Sequence, residues 1–398
     1  MTTTSIGSVL ADAQLRNQDI QSRTPGMVAW LHFGDLHITR RDQQNYRDFR
    51  ELIQHANRCL RGAVDFAILP GDNAEDGNEE QYRLVREAID DLSLPWHAIA
   101  GDHDFKTGSL QLFQKYVRPD LYYSFDVDRY HFMVLNALGA EKHGRFGLGS
   151  DQMNWLSADL RKASRRSSAS VLFLHCYPSE LSDADPSLVD LIRQHDVLMV
   201  DMGHTHYNEI ANDGHVIYAA TRSTGQIEEG PAGFSVNVLD HGVVSWKFKP
   251  IGEWPFVLIT SPADERFITR PGDASHVVRG EMEINALAWD EKEITSVTYR
   301  IDDGGTYSMS RAGRVGRTLW SARMNSRNLA DGLHTLSITA KNAAGGENSD
   351  IVRFCVSQSG HHALPTRHPV DEVNAIGAYF EKGILGTQLG PNKNGRKW

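Results

Sequence analysis

Five apolar runs in this chain each lead within two residues into Asp or His. The runs are residues 27–33, 66–70, 96–100, 171–174 and 197–202. The segments they lead into are Asp35-Leu36-His37, Gly71-Asp72-Asn73, Gly101-Asp102-His103-Asp104, His175 and Gly203-His204-Thr205-His206. Short continuous apolar runs of this kind predict strands buried on both faces. Residues 43–60 and 79–92 lie between them with helical apolar spacing, the second placing Tyr82, Leu84, Val85, Ala88 and Ile89 inward. Alternating strands and helices predict an open α/β sheet, and such sheets keep their ligand sites at the carboxyl ends of the strands.

The residue types at those ends point to metal. Imidazole and carboxylate suit Zn, Fe and Mn. The seven candidates Asp35, His37, Asp72, Asp102, His175, His204 and His206 are too many for one ion and about right for two. Two ions roughly 3.5–4 Å apart need a bridging group. A carboxylate can bridge and an imidazole cannot. Asp72 stands alone at its strand end and is the natural bridge. Asp35 and His37 then fit one ion, and His175 and Asp102 the other. His204 and His206 alternate on an extended segment and can be divided between the two. Any one of these residues reads equally well as a satisfied polar group; the convergent set does not.

The ordered pattern resembles that of the calcineurin-like metallophosphoesterase family, whose signature runs Asp-x-His, Gly-Asp, Gly-Asn-His-Asp/Glu, His, Gly-His-x-His. The match covers about residues 27–250. The resemblance implies a four-layer αββα sandwich. It also implies two divalent or trivalent metal ions, Mn, Fe or Zn with Mg admissible, on the seven residues above. A hydroxide on the metals would attack phosphorus in line, and His103 would stabilise the transition state or protonate the leaving oxygen. Asp104 would orient that imidazole. There is one departure: Asp102 stands where the family has Asn, a metal ligand and phosphate contact. Asp102 and His103 are therefore the expected substrate contacts. The extra negative charge favours a phosphodiester, or another monoanionic phosphate or phosphonate ester, over a dianionic monoester. The competing reading is a non-catalytic metal-binding scaffold that uses its C-terminal half to hold a partner. A scaffold is expected to have lost ligands, and here every motif position can bind metal.

At 398 residues the chain exceeds one ordinary domain. Near residue 253 the pattern changes. Short runs at 256–261, 277–288, 294–301, 319–324, 333–340 and 351–356 are separated by turn clusters such as Asp302-Asp303-Gly304-Gly305. They predict an all-β sandwich of immunoglobulin type. The expected organisation is an N-terminal extension over 1–25, a catalytic domain over 26–252, the sandwich over 253–357 and a tail over 358–398. The catalytic sheet should be complete at Pro250, so a chain cut there is expected to fold. The tail is expected to pack on the body or on a neighbouring subunit, and self-association through tail or sandwich is compatible with the pattern.

A formal charge of −10 argues against a nucleic-acid polymer as the main substrate, and the resemblance implies a small phosphate ester instead. Cys59, Cys176 and Cys355 are odd in number and far apart, which fits a reducing compartment. Residues 1–25 lack a basic start and an apolar stretch, and nothing approaches the ~20 apolar residues of a membrane span. The expectation is a cytoplasmic protein without membrane contact. His32, inside the first run, is expected to be a buried, hydrogen-bonded histidine. Asn73 is read as a turn residue, and Glu75 and Asp76 as a solvated loop.

Overall fold

In the computed structural model, residues 26–60, 62–138, 146–166, 168–181, 186–212, 214–226, 230–269, 276–312 and 318–360 are described. The N-terminal extension (1–25) and nearly all of the tail (361–398) lie outside them. In chain order the first half holds β1 (Met27–Phe33), α1 (Gln44–His55), β2 (Phe66–Leu69), α2 (Glu79–Ile89), β3 (Trp96–Ala98), α3 (Gln111–Tyr116), β4 (Tyr123–Val127), β5 (Tyr130–Val134), α4 (Gly149–Arg165), β6 (Ser170–Leu174), α5 (Pro186–Gln194) and β7 (Val197–Met202). Then follow β8 (Glu209–Asn212), β9 (Ile217–Ala220), β10 (Gly233–Asp240) and β11 (Val243–Pro250).

These strands form two sheets. The first has the order β11-β10-β1-β2-β3 and the second β4-β5-β6-β7-β9-β8. β1, β2 and β3 are mutually parallel, as are β5, β6, β7 and β9. Side chains alternate along each strand, and both faces are buried. On β1, Ala29, Leu31 and Phe33 face outward and pack with Tyr46, Phe49 and Leu52 of α1 and Tyr82, Val85 and Ala88 of α2. Val28 and Trp30 face inward and pack with Phe66, Phe132 and Phe173 between the sheets. On β6, Leu172 and Leu174 face the other way, onto Leu156 and Leu160 of α4 and Ile192 of α5. The layers are therefore helix, sheet, sheet, helix. The stretch at 209–219, one strand by its composition, is the antiparallel pair β8 and β9, because Asn212 Oδ1 accepts the Gly214 N–H and turns the chain.

The C-terminal half holds β12 (Phe256–Ser261), β13 (Val277–Val278), β14 (Glu281–Trp289), β15 (Ile294–Ile301), β16 (Thr306–Ser308), β17 (Ser310–Arg311), β18 (Leu319–Asn325), β19 (Gly332–Asn342) and β20 (Glu347–Val356). They make two sheets, β12-β14-β18-β17 and β13-β20-β19-β15-β16. Val257, Ile259, Ile284, Leu336, Ile338 and Phe354 fill the space between them. The opposite side chains of the first of these sheets, Phe256, Leu258, Leu287, Trp289 and Leu319, belong to the same apolar cluster as α1 and α2. Cys59, Ala63, Ile251 and Trp254 pack against that cluster. Polar ties run alongside: Arg58 pairs with Glu291 at 2.9 Å, and Lys247 Nζ donates to Asp350 Oδ1 at 2.9 Å. The sandwich thus shares a core with the first half, so Pro250 is not a clean end to the packing of that half.

Candidate metal centre

Five strand ends converge where the two sheets meet. β1 delivers Asp35 and His37, β2 delivers Asp72, β3 delivers Asp102 and His103, β6 delivers His175, and β7 delivers His204 and His206. The seven predicted ligands fall into two groups: Asp35, His37, Asp72 and His206, and Asp72, Asp102, His175 and His204. Within each group the candidate ligand atoms lie within 4.8 Å of one another. Asp72 belongs to both. Its Oδ2 lies 3.7 Å from His37 Nε2 and its Oδ1 lies 3.4 Å from His175 Nε2. In the second group Asp102 Oδ1 sits 3.2 Å from His175 Nε2 and 3.3 Å from His204 Nδ1. In the first, His206 Nε2 sits 3.6 Å from Asp35 Oδ2.

The surroundings fit cations. Asp35 is fully buried and its Oδ1 has no hydrogen-bond partner among the described residues. Burial, with Asp72 adding to it against the pull of His175 and His204, pushes its carboxyl up to about 8. Burial also lowers His37 and His206 to about 4, so both present neutral imidazoles, the form that ligates metal. In the second group burial opposes charge too, but Asp72 and Asp102 outweigh it and hold His175 well above the ordinary range. The carboxylates there draw protons onto imidazole, which is the response of a site shaped for positive charge.

Outer partners fix which nitrogen faces inward. His175 Nδ1–H donates to Pro70 O at 2.8 Å, and His37 Nδ1 meets Glu75 Oε2 at 2.9 Å, leaving both Nε2 atoms for the centre. The backbone is held in an unusual state as well. His37, Asp72, His204 and His206 have positive φ, at 45°, 49°, 67° and 64°. The left-handed region is unfavourable for side-chain-bearing residues and marks functional strain when the fold enforces it. Glycine supplies the room: a Cβ on Gly71 would overlap the His175 ring, and one on Gly101 would overlap the Asp72 carboxylate.

His103 lies on the rim. Its backbone N–H donates to Asp72 Oδ1 at 2.9 Å, and its ring packs edge-on to His37 with centroids 4.4 Å apart. Asp104 does not orient it. The two residues are adjacent on a 3₁₀ turn, where successive side chains diverge by about 120°. Asp104 is fully buried and accepts from Gly101 N–H, Asn73 N–H and Nδ2–H, Ala74 N–H and the Tyr82 hydroxyl. It ties the loop after β2 to the loop after β3. Burial, reinforced by Asp72, pushes its carboxyl up to about 6.

The carboxylate beside His103 is Glu75, at 3.2 Å from Nδ1, with the Glu75 carbonyl at 3.0 Å. Glu75 also accepts from Lys106 Nζ at 2.8 Å and from Gln226 Nε2 at 2.9 Å. It is thus a hub, not a solvated loop residue. Its partners His103, Lys106 and Gln226 come from other loops, so its place in the sequence did not mark it. Asn73 is buried and holds Asp104 and Ile99 O, so it does more than turn the chain. His32 is buried and hydrogen-bonded as its place in β1 predicts.

Comparison with known proteins agrees with the fold. Residues 30–208 match the calcineurin-like phosphoesterase family model, and residues 255–338 match the bacterial Ig domain model. Transmembrane protein 62 of Mus musculus is 22% identical over 285 residues, 67% of this chain and 43% of that protein. The chain therefore spans less than half the length of that relative. A probable glycerophosphodiester phosphodiesterase of Arcobacter nitrofigilis is 25% identical over 196 residues, 44% of this chain and 71% of that protein. A probable cyclic nucleotide phosphodiesterase of Synechococcus is 26% identical over 203 residues, 48% of this chain and 74% of that protein. The two matches fall in the order of the two halves of the fold, the first on the α/β half and the second on the all-β half. Among the described residues no helix is long and apolar enough to cross a membrane.

Proposed function

We propose that this chain is a metal-dependent phosphodiesterase acting on a small phosphate ester, with two ions of Mn, Fe or Zn. The observation that carries the reading is Asp72, whose two oxygens face two separate groups of histidines and carboxylates. Bound ions in such a centre lower the pKa of water to about 7 and offset charge on phosphoryl oxygens. Asp35, His37, Asp72 and His206 would hold one ion, and Asp72, Asp102, His175 and His204 the other. The remaining work falls to the chain itself. His103 stands at the rim, its side chain 19% exposed, where it can give a proton to a leaving oxygen, and Glu75 sets its ring orientation. Asp102 is exposed enough to meet substrate, with its side chain 40% accessible. Its charge repels a dianion more than a monoanion. The diesterase names of the two bacterial relatives support the same substrate class.

The test is a panel of phosphomono-, di- and triesters assayed after metal stripping and reconstitution with Mn, Zn, Fe or Mg. Turnover of a diester that needs added metal is the expected result. Absence of turnover on every ester, with two ions bound, would favour the scaffold reading.

A further inference from the structure

The aromatic core between the two catalytic sheets contains a buried polar cluster. Trp30 and His32 on β1 and Asp201 on β7 are all fully buried. His32 Nδ1–H donates to Asp201 Oδ1 at 2.5 Å, and Trp30 Nε1–H donates to Asp201 Oδ2 at 2.8 Å. His32 Nε2 has no hydrogen-bond partner among the described residues. Around the cluster lie Phe66, Phe132 and Phe173, with ring centroids 5.6–6.1 Å from that of Trp30. A buried polar pair in such surroundings is a poor way to gain stability. Its desolvation offsets much of its attraction, and apolar replacements are often neutral or stabilising.

What the pair adds is direction. β1 and β7 lie in different sheets, and no ladder sets their relative placement. Apolar contact between facing sheets is non-directional. A short hydrogen bond to a carboxylate is not. The two strands also continue in step. Three residues beyond His32 is Asp35, and three beyond Asp201 is His204. The His204 N–H donates to Asp35 Oδ2 at 2.7 Å. Two cross-sheet bonds, at equal offsets on both strands, thus stand one above the other. The upper one lies within the metal centre and the lower one supports it.

We propose that His32 and Asp201 are positioning residues: they fix β1 against β7 so that Asp35 and His37 meet His204 and His206 at ligand distance. This rests on the metal-centre reading above. The test uses the full-length chain, metal-stripped and titrated with Mn(II), with bound ion followed by electron paramagnetic resonance and stability by thermal melting. The wild type is the control; if it binds no Mn(II), the centre itself fails and the positioning role falls with it. In the double variant His32→Leu/Asp201→Leu, packing is restored without direction. It should melt no lower than wild type yet bind at least one ion ten-fold or more weakly, with an altered Mn–Mn coupling signal. Asp201→Asn keeps the shape and the Trp30 bond, and should weaken binding to a smaller extent. If the double variant does not fold, Asp201→Asn decides on the same readout. Wild-type affinity for two ions in whichever variants fold would overturn the proposal and leave the pair a purely structural one.

Discussion

The Nε2 atoms of His37 and His206 lie 3.0 Å apart, facing each other inside the first ligand group. Burial keeps both imidazoles neutral near pH 7, and two lone pairs at that distance are favourable only around a shared cation or proton. Asp72 then links this group to the second. Asp72→Asn retains shape but removes the bridging charge. We expect the variant to fold and to retain one ion per chain after gel filtration where the wild type retains two, with elemental analysis as the measurement. Two tightly held ions and near-normal turnover would end the bridging assignment.

On the proposed reading His103 protonates a leaving oxygen, and its contribution should scale with how much help that oxygen needs. His103→Ala should depress kcat by roughly 10²–10⁴ on a diester with an alkoxide leaving group. The loss should be much smaller with a nitrophenolate leaving group, which departs without a proton. Glu75→Gln keeps its size while removing the carboxylate beside His103 Nδ1. It should lower kcat on the alkoxide substrate and leave the nitrophenolate substrate nearly unchanged. Equal losses on both substrates in either variant would point to positioning instead of proton transfer.

The convergence of the seven residues was legible because a strand end is a local property: each apolar run announces its own end, and Asp or His follows within a few residues. The carboxylate partners were not. Asp104 follows His103 in sequence but diverges from it on the turn, while Glu75 comes from another loop and Gln226 reaches it from 151 residues away. The sandwich was legible as short alternating strands. Its shared core was not, because an apolar residue such as Trp289 reads the same whether it faces its own sheet partner or another domain.

That shared core bears on truncation. A chain ending at Pro250 loses Phe256, Leu258, Leu287, Trp289 and Leu319 from the cluster that covers α1 and α2. Burial of a large apolar side chain contributes about 1.5–3 kcal/mol, and net domain stability is only about 5–15 kcal/mol. The shortened chain should be insoluble, or should melt more than about 10 °C below the full chain. A soluble fragment with the full-length melting temperature would show that the interface contributes little.

Lys249 lies in the same region and gives a pH signature. It is 2% exposed, donates to Pro250 O and sits 4.1 Å from the Trp254 ring centroid. Burial lowers its pKa to about 8, against partial compensation from Glu253, Cys59, Asp290 and Glu291. The folded state therefore holds fewer protons than the unfolded state between about pH 8 and the ordinary lysine value of 10.5. Below that window the group destabilises the fold by a constant amount, and the penalty fades as pH rises through it. At about 1.4 kcal/mol per pH unit the full penalty is on the order of 3 kcal/mol. Lys249→Met should be more stable than wild type at pH 7, and the difference should shrink by pH 10. Chemical denaturation at the two pH values measures it; a difference that does not change with pH would show that Lys249 is not buried as a charge.

Asp102 is where this chain departs from the family pattern, and substrate choice should register it. A phosphomonoester is close to a dianion at neutral pH, with a second pKa of about 6, whereas a diester carries one charge. Asp102 Oδ1 lies against His175 and His204, so its charge is partly spent within the second ligand group. The same groups hold its carboxyl well below the ordinary range despite the opposing effect of burial, so it is ionised at any pH of interest. The remaining charge faces the phosphate position. Comparing kcat/KM for bis-nitrophenyl phosphate and nitrophenyl phosphate, the wild type should favour the diester. Asp102→Asn should narrow the gap by about tenfold, the effect of roughly 1.4 kcal/mol of relieved repulsion. Metal content measured in parallel separates the two roles. A narrowed gap with both ions still bound assigns the effect to charge at the substrate, whereas loss of the second ion with an unchanged preference would make Asp102 a metal ligand alone.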